Sequence, residues 1–166
     1  MAAEENSPPP PPEQPVFHVE KLYLKDLSFE SPNSPEVFRE PVEPRMEFNL
    51  ETNSTRKGEE HYESVLHVTV KVYTEEQVLF LVDVSYGGLF LLRNIPKNHV
   101  APILGIECPN ILFPYVRRVI SEQVTDGGFK PVVLDPVNFA ALFQQRLQQQ
   151  AQKQAREQPA PEAGTD

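Results

Sequence analysis

The sequence predicts an α+β fold, a four-stranded antiparallel sheet followed by two to three helices. Three observations carry this. Four segments in the first half show strand periodicity,. The connection Thr74-Glu75-Glu76-Gln77 is too short for a parallel crossover,. The second half changes to helical spacing, with helix-starting and helix-ending residues around it,.

The first strand, from Val16 to Tyr23, sets Phe17, Val19 and Tyr23 against His18, Glu20 and Leu22, a mixed pattern that suits a sheet edge,. In the second, Met46, Phe48, Leu50 and Thr52 oppose Arg45, Glu47, Asn49 and Glu51. In the third, Leu66, Val68, Val70 and Val72 oppose Val65, His67, Thr69 and Lys71. Both read as strands with one buried face. The fourth, Val78 to Leu92, is apolar on both sides, as expected of a central strand,. Asp83 interrupts it. Gly87-Gly88 suggests a bulge, a bend or the close approach of another backbone. Asn53 to Glu60 reads as a polar hairpin loop, and the region near Pro32 to Pro44 as a long Pro-rich link that, with Phe29, Val37 and Phe38, is expected to pack on the body.

Asn98 is expected to cap a short helix, His99 to Gly105, that Cys108-Pro109-Asn110 breaks,. Asn110 would cap the next helix, with Pro114 in its first turn. Its apolar stripe is Leu112, Val116, Val119, Ile120 and Val124, and Gly127-Gly128 ends it,. Asp135-Pro136 is expected to start the last helix, with Phe139, Leu142, Phe143 and Leu147 on one face,.

Composition sets the domain limits. Of eighteen prolines in 166 residues, six fall in residues 1–15 and two in 151–166, while every aromatic lies between Phe17 and Phe143. The expectation is one folded domain, 16–150, between a disordered Pro-rich tail, 1–15, and a disordered tail, 151–166. One cysteine builds neither an internal disulfide nor a thiolate-rich zinc site,. The N-terminus reads as no signal peptide and the apolar runs are short, which points to the cytoplasm and against membrane insertion,. The net charge of −9 divides as −3, −5 and −1 over the N-terminal tail, the body and the C-terminal tail. The folded body is acidic in its own right. That disfavours nucleic acid and favours a basic partner.

No catalytic or metal-binding constellation is apparent. His18, His61, His67 and His99 lack the spacing of a helical metal pair. Cys108 lies in an apolar stretch without nearby cations and reads as a packed thiol,. Asp26, Glu30, Glu36, Glu40 and Asp83 read as a solvated face, but Asp83 interrupts an apolar strand, and where strands one and four pair, Asp83 and Asp26 form one acidic patch. Apolar faces exceed what the elements need to cover one another, which points to oligomerisation or to a groove for apolar ligands.

Four separated motifs then carry a resemblance: YLKDLSFESPNSPEVF, FLVDVSYGGLF, GIECPNILFPYVRRVISEQVTDGGF and LDPVNFAALF. In this order and spacing, over about residues 16–150, the chain resembles SecB, the bacterial protein-export chaperone. The resemblance implies helices on one side of the sheet and a homotetramer built as a dimer of dimers. It implies an ATP-independent holdase without cofactor that binds unfolded secretory precursors and delivers them to the SecA motor. It places SecA contacts at Asp26, Glu30, Leu81 and Asp83, the last standing where relatives often carry Glu. It places assembly-affecting positions at Val82 and Val84, and a client groove at Phe29, Phe38, Val42, Phe139, Leu142 and Phe143. Two other readings stay open: a SecB-like chaperone of a stress or toxin–antitoxin system, and a small acyl-binding enzyme using Asp83, His67 or Cys108.

Overall fold

The computed structural model describes residues 10–157. Its strands are β1 (Val16–Glu30), β2 (Arg45–Arg56), β3 (His61–Tyr73) and β4 (Val78–Arg93). They form one antiparallel sheet in the order β1-β4-β3-β2. The β3–β4 hairpin closes where the Thr74 N–H donates to the Gln77 carbonyl at 2.8 Å and the Gln77 N–H to Thr74 Oγ1 at 3.2 Å. β1 reaches the far side of β4 because the long link carries the chain back across the sheet end. Ser31 Oγ and Asn33 Nδ2 pin that link by donating to the Leu79 and Val78 carbonyls, at 3.0 and 2.9 Å.

β1 and β4 stay paired over nearly their whole length, with register shifts in β1 at Glu20 and Lys25. The bulges lie in β1, and Gly87-Gly88 continues β4 without a break. The glycines supply space instead. A Cβ at Gly87 would lie 2.6 Å from the Tyr23 ring, and one at Gly88 2.5 Å from the Phe90 ring.

Period-two alternation gives each central strand an inner and an outer face. Leu66, Val68 and Val70 of β3 and Val82, Val84 and Phe90 of β4 are completely buried on the inner face. The helix α2 (Cys108–Asp126) covers them with Leu112, Val116, Val119, Ile120 and Val124, all buried. Burying each such side chain contributes about 1.5–3 kcal/mol, which fixes the helix on β3 and β4,. α2 ends in a Schellman motif: the Phe129 N–H donates to the Val124 carbonyl and Gly128 N–H to Thr125, with Gly128 at φ +89°,.

Three helix expectations are corrected. α1 (Lys97–Pro102) passes through a π-turn, Ile103–Glu107, directly into α2, so Cys108-Pro109-Asn110 does not break the helix. A proline ring presses on the carbonyl four residues back, here Gly105, and the wide turn relieves that clash. Asn98 and Asn110 therefore cap nothing, the residue before α1 being Pro96, and Pro114 lies inside α2. The last helix, α3 (Phe139–Glu157), starts later than Asp135-Pro136: the Ala141 N–H donates to Asn138 Oδ1 at 3.0 Å, which makes Asn138 the N-cap,. The helix begins there because Phe139 is buried with its edge on Phe113, 6.0 Å between centroids.

The domain limits expected from composition meet the structure unevenly. Residues 10–15 form no helix or strand, and Asn94 Nδ2 holds Glu13 Oε2 at 3.1 Å. Residues 151–157 prolong α3. Residues 1–9 and 158–166 of the two expected tails lie outside the described residues.

Candidate functional site

Of the expected acidic positions, Asp26, Glu30 and Asp83 come together on the outer face of the sheet, whereas Glu36 lies in the short 3-10 turn Glu36–Phe38 and Glu40 in the link that follows it. β1 and β4 place Ser28 opposite Asp83, Glu30 opposite Leu81, and Asp26 opposite Ser85. Asp26 and Glu30 are exposed, and Leu81 and Asp83 half-buried. Alternation dictates this sidedness: Asp83 points away from the core because Val82 and Val84 point into it. The pairing of β1 with β4 makes one patch from residues more than fifty positions apart.

Val82 and Val84, expected at an oligomer interface, are both 0% exposed within the single chain. They offer no surface to a second chain.

Asp83 is held in place. His67 Nε2 lies 2.8 Å from Asp83 Oδ1 and 2.9 Å from Oδ2, and Thr69 Oγ1 donates to Oδ2 at 2.7 Å. Beside this pair a hollow of about 720 Å³ opens on the outer face, lined among others by Lys25, Asp26, Glu51, Lys57, Glu63 and His67. Glu63 anchors its far side. Lys25 Nζ meets Glu63 Oε1 at 2.7 Å, the Tyr23 hydroxyl donates to the same oxygen at 2.5 Å, and Lys57 Nζ lies 3.7 Å from Oε2. The Lys25 and Tyr23 hydrogen bonds hold the Glu63 carboxyl below its ordinary range. Burial and the same carboxylate push the Tyr23 hydroxyl up to about 12. Sequence reading had no signal for the Glu63 cluster, since its members come from two strands and a loop.

The helix-side residues form two groups. Phe29 stacks on Phe80 at 5.9 Å, Phe80 meets Phe129 at 4.8 Å, and Phe129 meets Phe38 at 4.9 Å. This cluster lies where α2 ends, with Gly127 beneath the Phe29 ring. Val42 packs at the edge of the core and lines a separate hollow with Pro41, Pro44 and Glu75. Phe139, Leu142 and Phe143 lie at the other end of α2. There Phe139 is core and Phe143 rests on Gly105 of the π-turn, where a Cβ would come within 2.5 Å of its ring. Helical rise puts roughly 28 Å between the two ends of the 19-residue α2,. The six expected groove residues are therefore two stations on the same side of the sheet.

Sequence reading missed a further part of that side. α2 packs mainly on β4 and β3, and Met46 and Phe48 of β2 are 53% and 41% exposed on an inner face that alternation marks as buried. α3 leans on the π-turn and is tied to β2 by Arg146 Nη1, which donates to Thr52 Oγ1. Phe143, Leu147, Leu104 and Gly105 line a hollow of about 290 Å³ there.

The possible reactive groups are placed otherwise. Cys108 is wholly buried, and burial, then the Glu107 charge, push its thiol up to about 12, far from a nucleophile's range,. His61 pairs with Glu20 at 3.2 Å and His99 is exposed on α1. Among the described residues there is no group of three or more ligand-type side chains placed to hold a metal ion. No helix among them is long and apolar enough to cross a membrane.

The family model described as Preprotein translocase subunit SecB matches residues 11–150. The protein-export protein SecB of Magnetococcus marinus is 58% identical over 145 residues, covering 87% of this chain and 92% of that protein. The SecB of Dechloromonas aromatica is 49% identical over 136 residues, covering 82% and 90%. Among solved structures, the SecB-like chaperone of Mycobacterium tuberculosis, in complex with a peptide from an antitoxin, shares the fold: TM-score 0.61 at 11% identity, over 73% of this chain and 90% of that one.

Proposed function

The chain belongs to the SecB family and is a chaperone of protein export, and on that premise we propose that it holds unfolded precursors on its helix side and hands them to SecA from its outer face. The observation that carries this reading is the sidedness of the sheet. Exposed apolar groups, Met46, Phe48 and Phe38, lie on the helix side. Asp26, Glu30 and Asp83 lie on the other. An extended client needs apolar contacts and strand-edge hydrogen bonds that tolerate many sequences, and β2 offers both,. A basic docking segment of the motor needs fixed carboxylates, which speed encounter and set specificity. Phe29, Phe38 and Val42 form one client station in this reading, and Phe139, Leu142 and Phe143 the other. The protein works in the cytoplasm as a homotetramer, a dimer of dimers, and requires no nucleotide. Several copies would let one client span several stations, raising avidity by about 10²–10⁴.

The test is titration of a labelled, non-native polypeptide, without nucleotide, with its folded form as control. Selective binding of the non-native form is the expected result; equal or absent binding of the two would sink the holdase reading.

A further inference from the structure

Asp83 differs from the two other carboxylates of its patch in one respect. Asp26 and Glu30 are exposed and, among the described residues, have no ion-pair partner, whereas both oxygens of Asp83 are engaged by His67 Nε2 and one also by Thr69. Because both acceptors are oxygens, the ring nitrogen between them carries a proton and donates. His67 and Asp83 sit on the outer face with side chains 35% and 29% exposed, so the contact supports no core packing and remains open to competition.

We propose that His67 is an internal competitor for the basic partner of the acidic face, and so sets its docking affinity. This rests on the reading that Asp83 belongs to the docking surface. A cation approaching Asp83 must displace the imidazole or share the carboxylate with it. An ionised imidazole also cancels the charge that attracts the cation, so competition is strongest at the acid end of histidine's working range. The charged groups that face His67 are Glu51 opposite on β2, Asp83 beside it on β4, Asp26 across the hollow on β1, and Glu63 along β3. Lys25 of β1 and Lys57 of the β2–β3 loop are both turned toward Glu63. The competition makes delivery pH-dependent through one residue of the chaperone.

The experiment measures SecA binding by calorimetry for the wild type, H67A, H67Q, D83N and the double variant H67A/D83N, at pH 6 and pH 8. The expected result is that H67A and H67Q bind SecA about two- to fivefold more tightly than wild type at pH 6, the range for releasing a half-exposed ion pair. The gain should shrink at pH 8 and vanish in the D83N background. Weaker binding by both His67 variants would overturn the inference, since His67 would then be holding Asp83 in its docking geometry. An equal gain in the D83N background would overturn it too, because the effect would not pass through Asp83. If D83N binds like the wild type, the docking reading itself fails. If D83N weakens binding while H67A and H67Q leave it unchanged, only the competitor fails. Binding of an unfolded client, unchanged in every variant, separates all of this from damage to the fold.

Discussion

The two faces of the sheet are made by the same strands, residue by residue in alternation, and they obey opposite rules. The inner face is continuous: Leu66, Val68, Val70, Val82, Val84 and Phe90 meet α2 with no exposure at all. The outer face is discontinuous, a set of separate polar clusters at Glu63 and at Asp83. A close-packed face transmits any change in volume to its neighbours, whereas a hydrated polar face absorbs substitution and alters mainly what it attracts. Stability therefore rests mainly on the buried side, while change on the outer side mainly alters what it attracts. β2 is the exception that joins them, because Met46 and Phe48 of its inner face stay exposed.

The largest effect should come from the inner face. Phe90→Ala is expected to cost about 3–5 kcal/mol, while Leu81→Ala on the outer face costs less than half as much. Denaturant midpoints of the two variants would give the ratio, and equal losses would mean that a second layer covers the outer face. Next comes function. Asp83→Lys should weaken SecA binding about tenfold or more and leave unfolded-client binding within about twofold. Phe143→Ala should do the reverse. Losses in both activities for either variant would collapse the distinction between the faces. A smaller effect is expected at the start of α3: Asn138→Ala removes the cap and should cost about 1 kcal/mol. It should loosen the Phe139–Phe143 station, seen as faster amide exchange confined to α3, without touching SecA binding. Exchange spread through the sheet would argue against a local cap.

The smallest effect concerns pH. The folded-state carboxyl of Glu63 lies below its ordinary value of 4.5, because Lys25 and Tyr23 stabilise the anion. The anion then contributes stability that is present above that value and is lost as pH falls through the lowered folded value. Glu63→Gln should flatten the fall of stability below about pH 4.5, seen in denaturation series at stepped pH. An unchanged slope would mean that the Tyr23–Glu63–Lys25 cluster does not hold together in solution.

Much of this was legible in the sequence, and the reasons are local. The stripes of β3, β4 and α2 are buried as their periodicity requires, and Gly127-Gly128 ends α2 because only a flexible residue takes the left-handed turn,. The helix starts were read less well. Cys108-Pro109-Asn110 looks like a break in one dimension, but a π-turn absorbs the proline once Leu112 and Val116 are fixed on the sheet. Asp135-Pro136 is a sound starting signal, but burial of Phe139 on Phe113 selected Asn138. The positions proposed to face SecA came from resemblance, and strand pairing places them side by side.

The sequence by itself determined the α+β class, the strands, the main helix stripe, the acidic balance and the family. Each of these depends on neighbours in the chain or on its composition. Tertiary structure alone decided that β1 pairs with β4, that Met46 and Phe48 of β2 stay exposed, and that the six residues expected to line a client groove form two stations. It also decided that His67 occupies Asp83. The His67–Asp83 and β1–β4 contacts join residues from 16 to 77 positions apart, where no periodicity or capping rule reaches. They are selected only when the whole inner face is buried at once.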